Sequence, residues 1–199
     1  MSENIVKDMM YFGTAALSVG GLMSAADQVQ AQTWTGPYAG LSFGAPSGTA
    51  DFKYGGTYAY TGMPGGAFAG YNMAMGDWVF GGEVAYTNGF KTDTSAYGEF
   101  AVSDLLDLRA RAGRVFGSTF VYGALGASFG QASYVDSSYS ASGSIHGTNV
   151  GVGFEMGLGD RATFGFDVTR RMMKYNSDIS SLVTPGDLTT VSVRVGMRF

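Results

Sequence analysis

From Trp34 onward the chain repeats one pattern: segments of close to ten residues in which every second residue is apolar. A period of two marks a β-strand whose two faces meet different surroundings. The last segment shows it most clearly, with Val191, Val193, Val195, Met197 and Phe199 on one face and Thr190, Ser192, Arg194, Gly196 and Arg198 on the other. Ala162, Phe164, Phe166 and Val168 alternate with Thr163, Gly165, Asp167 and Thr169, and Val150, Val152, Phe154, Met156 and Leu158 with Asn149, Gly151, Gly153, Glu155 and Gly157. Leu106, Leu108, Ala110 and Ala112 alternate with Asp107, Arg109, Arg111 and Gly113, and Trp78, Phe80, Gly82, Val84 and Tyr86 with Val79, Gly81, Glu83 and Ala85. Segments 39–45, 67–73 and 120–129 complete a set of eight. Both faces of 120–129 are fairly apolar, so spacing alone leaves its inside and outside open.

The connections alternate as well. Those at 75–77, 115–119 and 159–161 are short, and those at 46–65, 87–103, 130–147 and 172–188 are long, so all the long ones lie at one end. Strands of this length, turned tightly at one end and loosely at the other, suit an apolar band about 25 Å thick. In hydrocarbon an open sheet edge would leave N–H and C=O groups unpaired, so the sheet must close on itself. The reading is all-β: an eight-stranded antiparallel up-and-down transmembrane β-barrel with short periplasmic turns and four long extracellular loops.

A soluble eight-stranded barrel around a ligand has the same alternation. The polar face argues against it. A water-facing strand surface is rich in Lys, Glu and Thr, whereas this face is Gly, Ser and Thr punctuated by a few charges of both signs. The other face carries Trp, Phe, Val and Leu with almost no charge, as lipid contact requires. Trp34, Tyr38, Trp78, Tyr86, Phe129 and Phe199 stand near strand ends and are expected to form interfacial girdles. The chain has 32 glycines, no cysteine and one histidine, which removes a disulfide framework, a thiol nucleophile and a His/Cys metal cage. A formal charge of −4 with no basic run leaves no footprint for nucleic acid.

Residues 11–23 form an apolar, small-residue run, and Val29-Gln30-Ala31 has the small-x-small spacing of an export cleavage site. Residues 1–31 are therefore expected to be a cleaved signal peptide and 32–199 the outer-membrane barrel domain. Glu3 and Asp8 against Lys7 make the leader unusually acidic.

Several stretches resemble small outer-membrane β-barrel proteins of Gram-negative bacteria, of the opacity-like porin superfamily common in alphaproteobacteria. Trp34-Thr35-Gly36-Pro37-Tyr38-Ala39-Gly40 is similar to that family's W-T-G-x-Y-x-G opening. Gly65-Gly66-Ala67-Phe68-Ala69-Gly70-Tyr71-Asn72 resembles its second strand, and Trp78-Val79-Phe80-Gly81-Gly82-Glu83 its third. The terminal Arg198-Phe199 resembles the carboxyl-terminal signal read by the outer-membrane insertion machinery, which makes Phe199 the insertion signal and that machinery a partner during biogenesis. The resemblance covers essentially the whole of 32–199 and implies location in the outer membrane.

An eight-stranded barrel is just wide enough for side chains to fill it. Glu83, Asp107, Glu155 and Asp167 are expected to meet Arg109, Arg111 and Arg194 inside, with Arg198 balancing them at the rim, as a charge network that plugs the lumen. The alternative is a narrow small-solute channel. A third reading, a lipid A-modifying enzyme, starts from His146-Gly147-Thr148 with Glu155 downstream, similar to the His-x-Ser and Glu of outer-membrane deacylases. Thr148 replaces the serine, and Glu155 lies about 23 Å along the strand, beyond hydrogen-bond reach. No catalytic residue, metal ligand or cofactor is expected.

Arg170, Arg171 and Lys174 cluster at the outer end of the seventh strand and are read as a lipopolysaccharide contact, since phosphates accept bidentate bonds from Arg. Tyr54, Tyr58, Tyr60, Tyr97, Tyr134 and Tyr139 give the long connections the composition of adaptable contact surfaces. The expected role is structural or surface-interacting. A protein partner reached through the loops or the barrel wall stays unidentified.

Overall fold

The computed structural model describes residues 30–52, 56–92, 99–135, 140–175, 183–185 and 187–199. Among them the strands are β1 (Gly36–Ser47), β2 (Thr49–Phe52), β3 (Gly56–Thr61), β4 (Gly65–Met75), β5 (Trp78–Asn88), β6 (Phe90–Thr92), β7 (Glu99–Phe116), β8 (Thr119–Val135), β9 (Ser140–Leu158), β10 (Ala162–Tyr175), β11 (Val183–Pro185) and β12 (Leu188–Arg198). Eight of them close a ring in the order β1, β4, β5, β7, β8, β9, β10, β12, with β12 paired back to β1 from Tyr38↔Arg198 to Ser47↔Thr189. Every pairing is antiparallel, which is the expected up-and-down barrel. The short turns close on Gly76, Gly117 and Gly159, each at a positive φ near 60° that a side chain would strain.

Strands run further than the alternation suggested. β9 has 19 residues and so extends roughly 60 Å at about 3.3 Å per residue, well beyond the band that a tilted strand of about ten residues crosses. The described parts of the long connections are largely strand: β8 and β9 continue through Gln131, Ser133, Ser142 and Ser144, and β2, β3, β6 and β11 extend the other walls. Beyond the apolar band the outer face turns polar, with Gln131, Ser142 and Ser144 exposed, while Ala132 and Ile145 are buried inside, so the alternation reverses its polarity as the ladder continues.

Register assigns the faces. Leu41, Tyr71, Phe80, Val84, Leu108, Val152, Phe166 and Val195 are exposed on the outside. In β8 the open assignment resolves with Phe120, Tyr122, Ala124 and Ser128 buried and Val121, Leu125 and Phe129 outside. Two of the six girdle assignments are corrected. Tyr38 is buried at 5% because it shares the inward phase of β1 with Gly40 and Ser42, and Trp34 is buried at 3% because it precedes the strand in a turn folded beneath the barrel. Trp78, Tyr86, Phe129 and Phe199 remain exposed outside.

One bulge re-phases a wall. Between Ser103 and Leu106 the β7–β8 register slips, and Asp104 takes φ 51°, unusual for a residue with a side chain. Val102 and Leu105, three apart, are consequently both buried. The Tyr86 hydroxyl donates to Asp104 Oδ1 at 2.7 Å and holds the bulge from the neighbouring strand.

Candidate functional site

Inward-facing positions fill the lumen in layers. At the short-turn end Ala31, Trp34, Val79, Val115, Phe120, Tyr122 and Ala124 form one apolar cluster. The Trp34 and Phe120 rings are 5.3 Å apart, and Phe120 stacks on Tyr122 at 5.2 Å. Arg198 does not join the buried charges. Its guanidinium lies 4.4 Å from the Trp34 ring and donates to the carbonyls of Thr33 and Asp160 at 3.0 and 3.3 Å.

Above this floor sits Glu83, which takes hydrogen bonds from three arginines. Its Oε1 accepts from Arg109 Nη2, from Arg109 Nε at 3.1 Å and from Arg194 Nη1 at 3.1 Å. Its Oε2 accepts from Arg194 Nη2 at 2.5 Å, Arg111 Nη1 at 2.9 Å and the Tyr38 hydroxyl at 3.1 Å. One carboxylate cannot neutralise three guanidiniums. Glu155 takes two bonds from Arg111, at 3.0 and 3.2 Å, and lies 3.3 Å from Arg194 Nε; Asp167 accepts from Arg109 Nη1 at 3.1 Å. Three acids thus meet three bases. Such a group survives burial only when its charges balance and its donors find partners.

Aromatic rings pack against the guanidiniums, whose Nε atoms on Arg111 and Arg194 make no hydrogen bond. The Arg111 guanidinium lies 4.6 Å from the Tyr38 ring and 4.4 Å from the Tyr122 ring, and Arg194 sits 3.6 Å over Phe68. The Tyr122 hydroxyl donates to Asp167 Oδ2 at 2.9 Å. These rings fit because glycines face them: a methyl group on Gly153 would lie 2.6 Å from the Tyr122 ring and hydroxyl, and one on Gly70 would overlap Tyr38.

A second charge group lies toward the long connections. Asp107 Oδ2 accepts from Arg171 Nη2 at 2.6 Å, and Oδ1 from the Ser128 hydroxyl at 2.6 Å. Arg171 Nη1 donates to Thr190 Oγ1 at 2.8 Å, and Asn149 Nδ2 to Ser128 Oγ at 2.8 Å. Beyond it Phe90, Val102, Leu105, Ala132, Ile145 and Leu188 are buried, with Leu105 and Ile145 converging over Gly130. Polar layers therefore lie between two apolar ones.

Glu83, Asp107, Arg109, Arg111, Glu155, Asp167 and Arg194 are all buried in the lumen. Asp107 belongs to the upper group, the other six to the lower. The assignment of Arg171 to the outer basic cluster is corrected: it is 4% exposed and paired with Asp107, because consecutive residues of a strand face opposite ways. Arg171, not Arg198, makes the buried set four acids and four arginines among the described residues. Its phase was readable, since Asp167, Thr169 and Arg171 share a face.

Outside, Arg170 is exposed and ion-paired through Nη2 and Nε with Asp187 Oδ2. Lys174 is exposed opposite His146 in register. His146 and Thr148 face outward whereas Glu155 is buried, which separates the three residues of the enzyme reading. Tyr60 is buried at 6%, so it is no loop contact; Tyr54, Tyr97 and Tyr139 lie outside the described residues.

The outer membrane protein beta-barrel domain family matches residues 12–199. No curated protein sequence matches the chain. Among solved structures, Neisserial surface protein A is similar at 17% identity and a TM-score of 0.56, covering 83% of this chain and 98% of that one. Ail, the attachment invasion locus protein of Yersinia pestis, solved with the heparin analogue sucrose octasulfate, is similar at 20% identity and a TM-score of 0.53, covering 82% and 99%. The N-terminal β-barrel domain of Pseudomonas aeruginosa OprF is similar at 14% identity and a TM-score of 0.51, covering 83% and 98%. At these identities the likeness is one of fold.

Proposed function

The chain belongs to the outer membrane protein beta-barrel domain family, and from that premise we propose that it is a sealed outer-membrane barrel whose lumen is structural and whose outer surface does its work. One observation carries this reading: the buried charges pair among themselves between two apolar layers. A solute path needs polar groups that face water along its whole length. Here the carboxylates and guanidiniums face one another, and Trp34 with Phe120 closes one end while Leu105, Ile145 and Leu188 lie buried at the other. A network of this kind fixes register across the barrel without opening it.

Among the described residues no arrangement supports catalysis. The outward phase instead presents Arg170, level with Val150 and paired with Asp187, and Lys174 further out opposite His146, at the outer edge of the apolar face of Val150, Val152 and Val168, where the phosphates of lipopolysaccharide are the natural partner of a fixed cation. Phe199, exposed at the end of the closing strand, is the residue offered to the insertion machinery. The two resembling proteins named for surface or attachment roles make a partner reached from the same surface a consistent choice. Release of entrapped small solutes from liposomes carrying the folded protein tests the seal. Retention equal to that of protein-free liposomes supports it, and release overturns it.

A further inference from the structure

Two residues of the lumen's floor, Ala31 and Trp34, precede the first strand. In the turn at 30–35, Thr33, Trp34 and Thr35 donate their N–H groups to the carbonyls of Gln30, Ala31 and Gln32 at 3.2, 3.0 and 3.1 Å. The Thr33 hydroxyl donates to the Gln30 carbonyl at 2.7 Å as well. Ala31 is 0% exposed, packed in the cluster of Trp34, Val79, Val115 and Phe120. Two further strands hold the turn in place: the Ala74 N–H donates to Thr35 Oγ1 at 3.0 Å, and Arg198 donates to the Thr33 carbonyl at 3.0 Å.

A cut after Ala31, where the spacing of Val29-Gln30-Ala31 points, would dismantle this floor. It would remove the methyl group that fills it and two of the three carbonyls that close the turn. It would also place a new α-ammonium on Gln32, directly beside the vacated apolar site.

We propose that the mature protein keeps Gln30 and Ala31 as the stopper of its short-turn end, and that the exported precursor is cut ahead of Gln30. The sequence supplies a bond that meets the requirement. Ser24-Ala25-Ala26 follows the apolar run 11–23 directly and has small residues at the same spacing, with Asp27 after it. One water, in the active site of the membrane's signal peptidase, hydrolyses the Ala26–Asp27 amide; Ala26 keeps the new carboxylate and Asp27 the new α-ammonium. The charge then lies three residues ahead of Gln30 in sequence. This assignment rests on the packing of the floor and not on whether solutes cross the lumen.

The test is amino-terminal sequencing and intact mass of the protein purified from outer membranes of cells that express the full chain. Asp27 as the first residue is the expected result. Any other start overturns the assigned bond, and a start beyond Gln30 overturns the stopper too. Two variants read the same point without requiring a folded barrel. Ala26→Leu blocks conversion of precursor to mature chain and Ala31→Leu leaves it intact; the reverse pattern contradicts the proposal.

Discussion

Glu83 on β5 and Arg194 on β12, 111 residues apart in sequence, meet across the lumen with Arg194 Nη2 at 2.5 Å from Glu83 Oε2. Between their strands lie β4 and β1, so the pair joins walls that share no backbone ladder. Arg109 and Arg111 reach the same carboxylate from β7. Removing Glu83 therefore strands three guanidiniums with two acids left to serve them. Glu83→Gln, which keeps the shape and loses the charge, is expected to cost about 3–5 kcal/mol of unfolding free energy. Urea unfolding of the refolded barrel in micelles measures it, and a loss under about 1 kcal/mol would remove Glu83 from the centre of the network.

Arg170 and Arg171 give a sharper contrast, because they are neighbours in sequence and differ only in the face they take. Arg171→Ala leaves Asp107 buried without its ion-pair partner and is expected to cost about 3–5 kcal/mol. Arg170→Ala breaks an exposed pair with Asp187 and is expected to cost at most about 1 kcal/mol. Equal losses in the same unfolding experiment would contradict the inward placement of Arg171.

Glycine plays two roles on the two faces, and alanine separates them. Gly153 faces the lumen beneath Tyr122, so Gly153→Ala forces the ring away from Asp167 and is expected to destabilise by about 1–3 kcal/mol. Gly82 faces outward with no atom within 4 Å of a methyl group placed on it. Gly82→Ala is expected to be neutral within about 0.5 kcal/mol. The ordering of the two variants is the observable.

The outward cations bear on the lipid partner. Lys174→Ala together with Arg170→Ala is expected to reduce lipopolysaccharide co-purified with the barrel, while Arg171→Gln leaves retention per folded barrel unchanged. Quantifying bound lipid phosphate in each preparation decides it. Retention that is indifferent to the outer pair assigns those cations to ordinary solvent.

Much of this is legible in the sequence. Alternation placed Glu83, Asp107, Arg109, Arg111, Glu155, Asp167 and Arg194 on the polar face, and the closed ring turns that face inward. Adjacency along the chain misleads where phase decides: it groups Arg171 with Arg170 although strand geometry sends them apart, and it puts Tyr38 at an interface although Tyr38 shares its phase with Gly40. Trp34 lies before the strand, where period two carries no information, and only packing against Phe120 reveals it as a stopper. The extensions of β8 and β9 are hard to read from the sequence because the polarity reverses there: Gln131, Ser142 and Ser144 face outward while Ala132 and Ile145 are buried inside. Which acid meets which arginine depends on register across the barrel, and that is a tertiary property.

Single-channel recording of the refolded barrel in a planar bilayer, native and Asp107→Ala side by side, tests the sealed lumen most directly. The layered interior predicts no steady conductance from the native protein, since apolar groups interrupt the polar path at both ends. A steady current in the native protein that changes with Asp107→Ala would contradict it and make the lumen the working site.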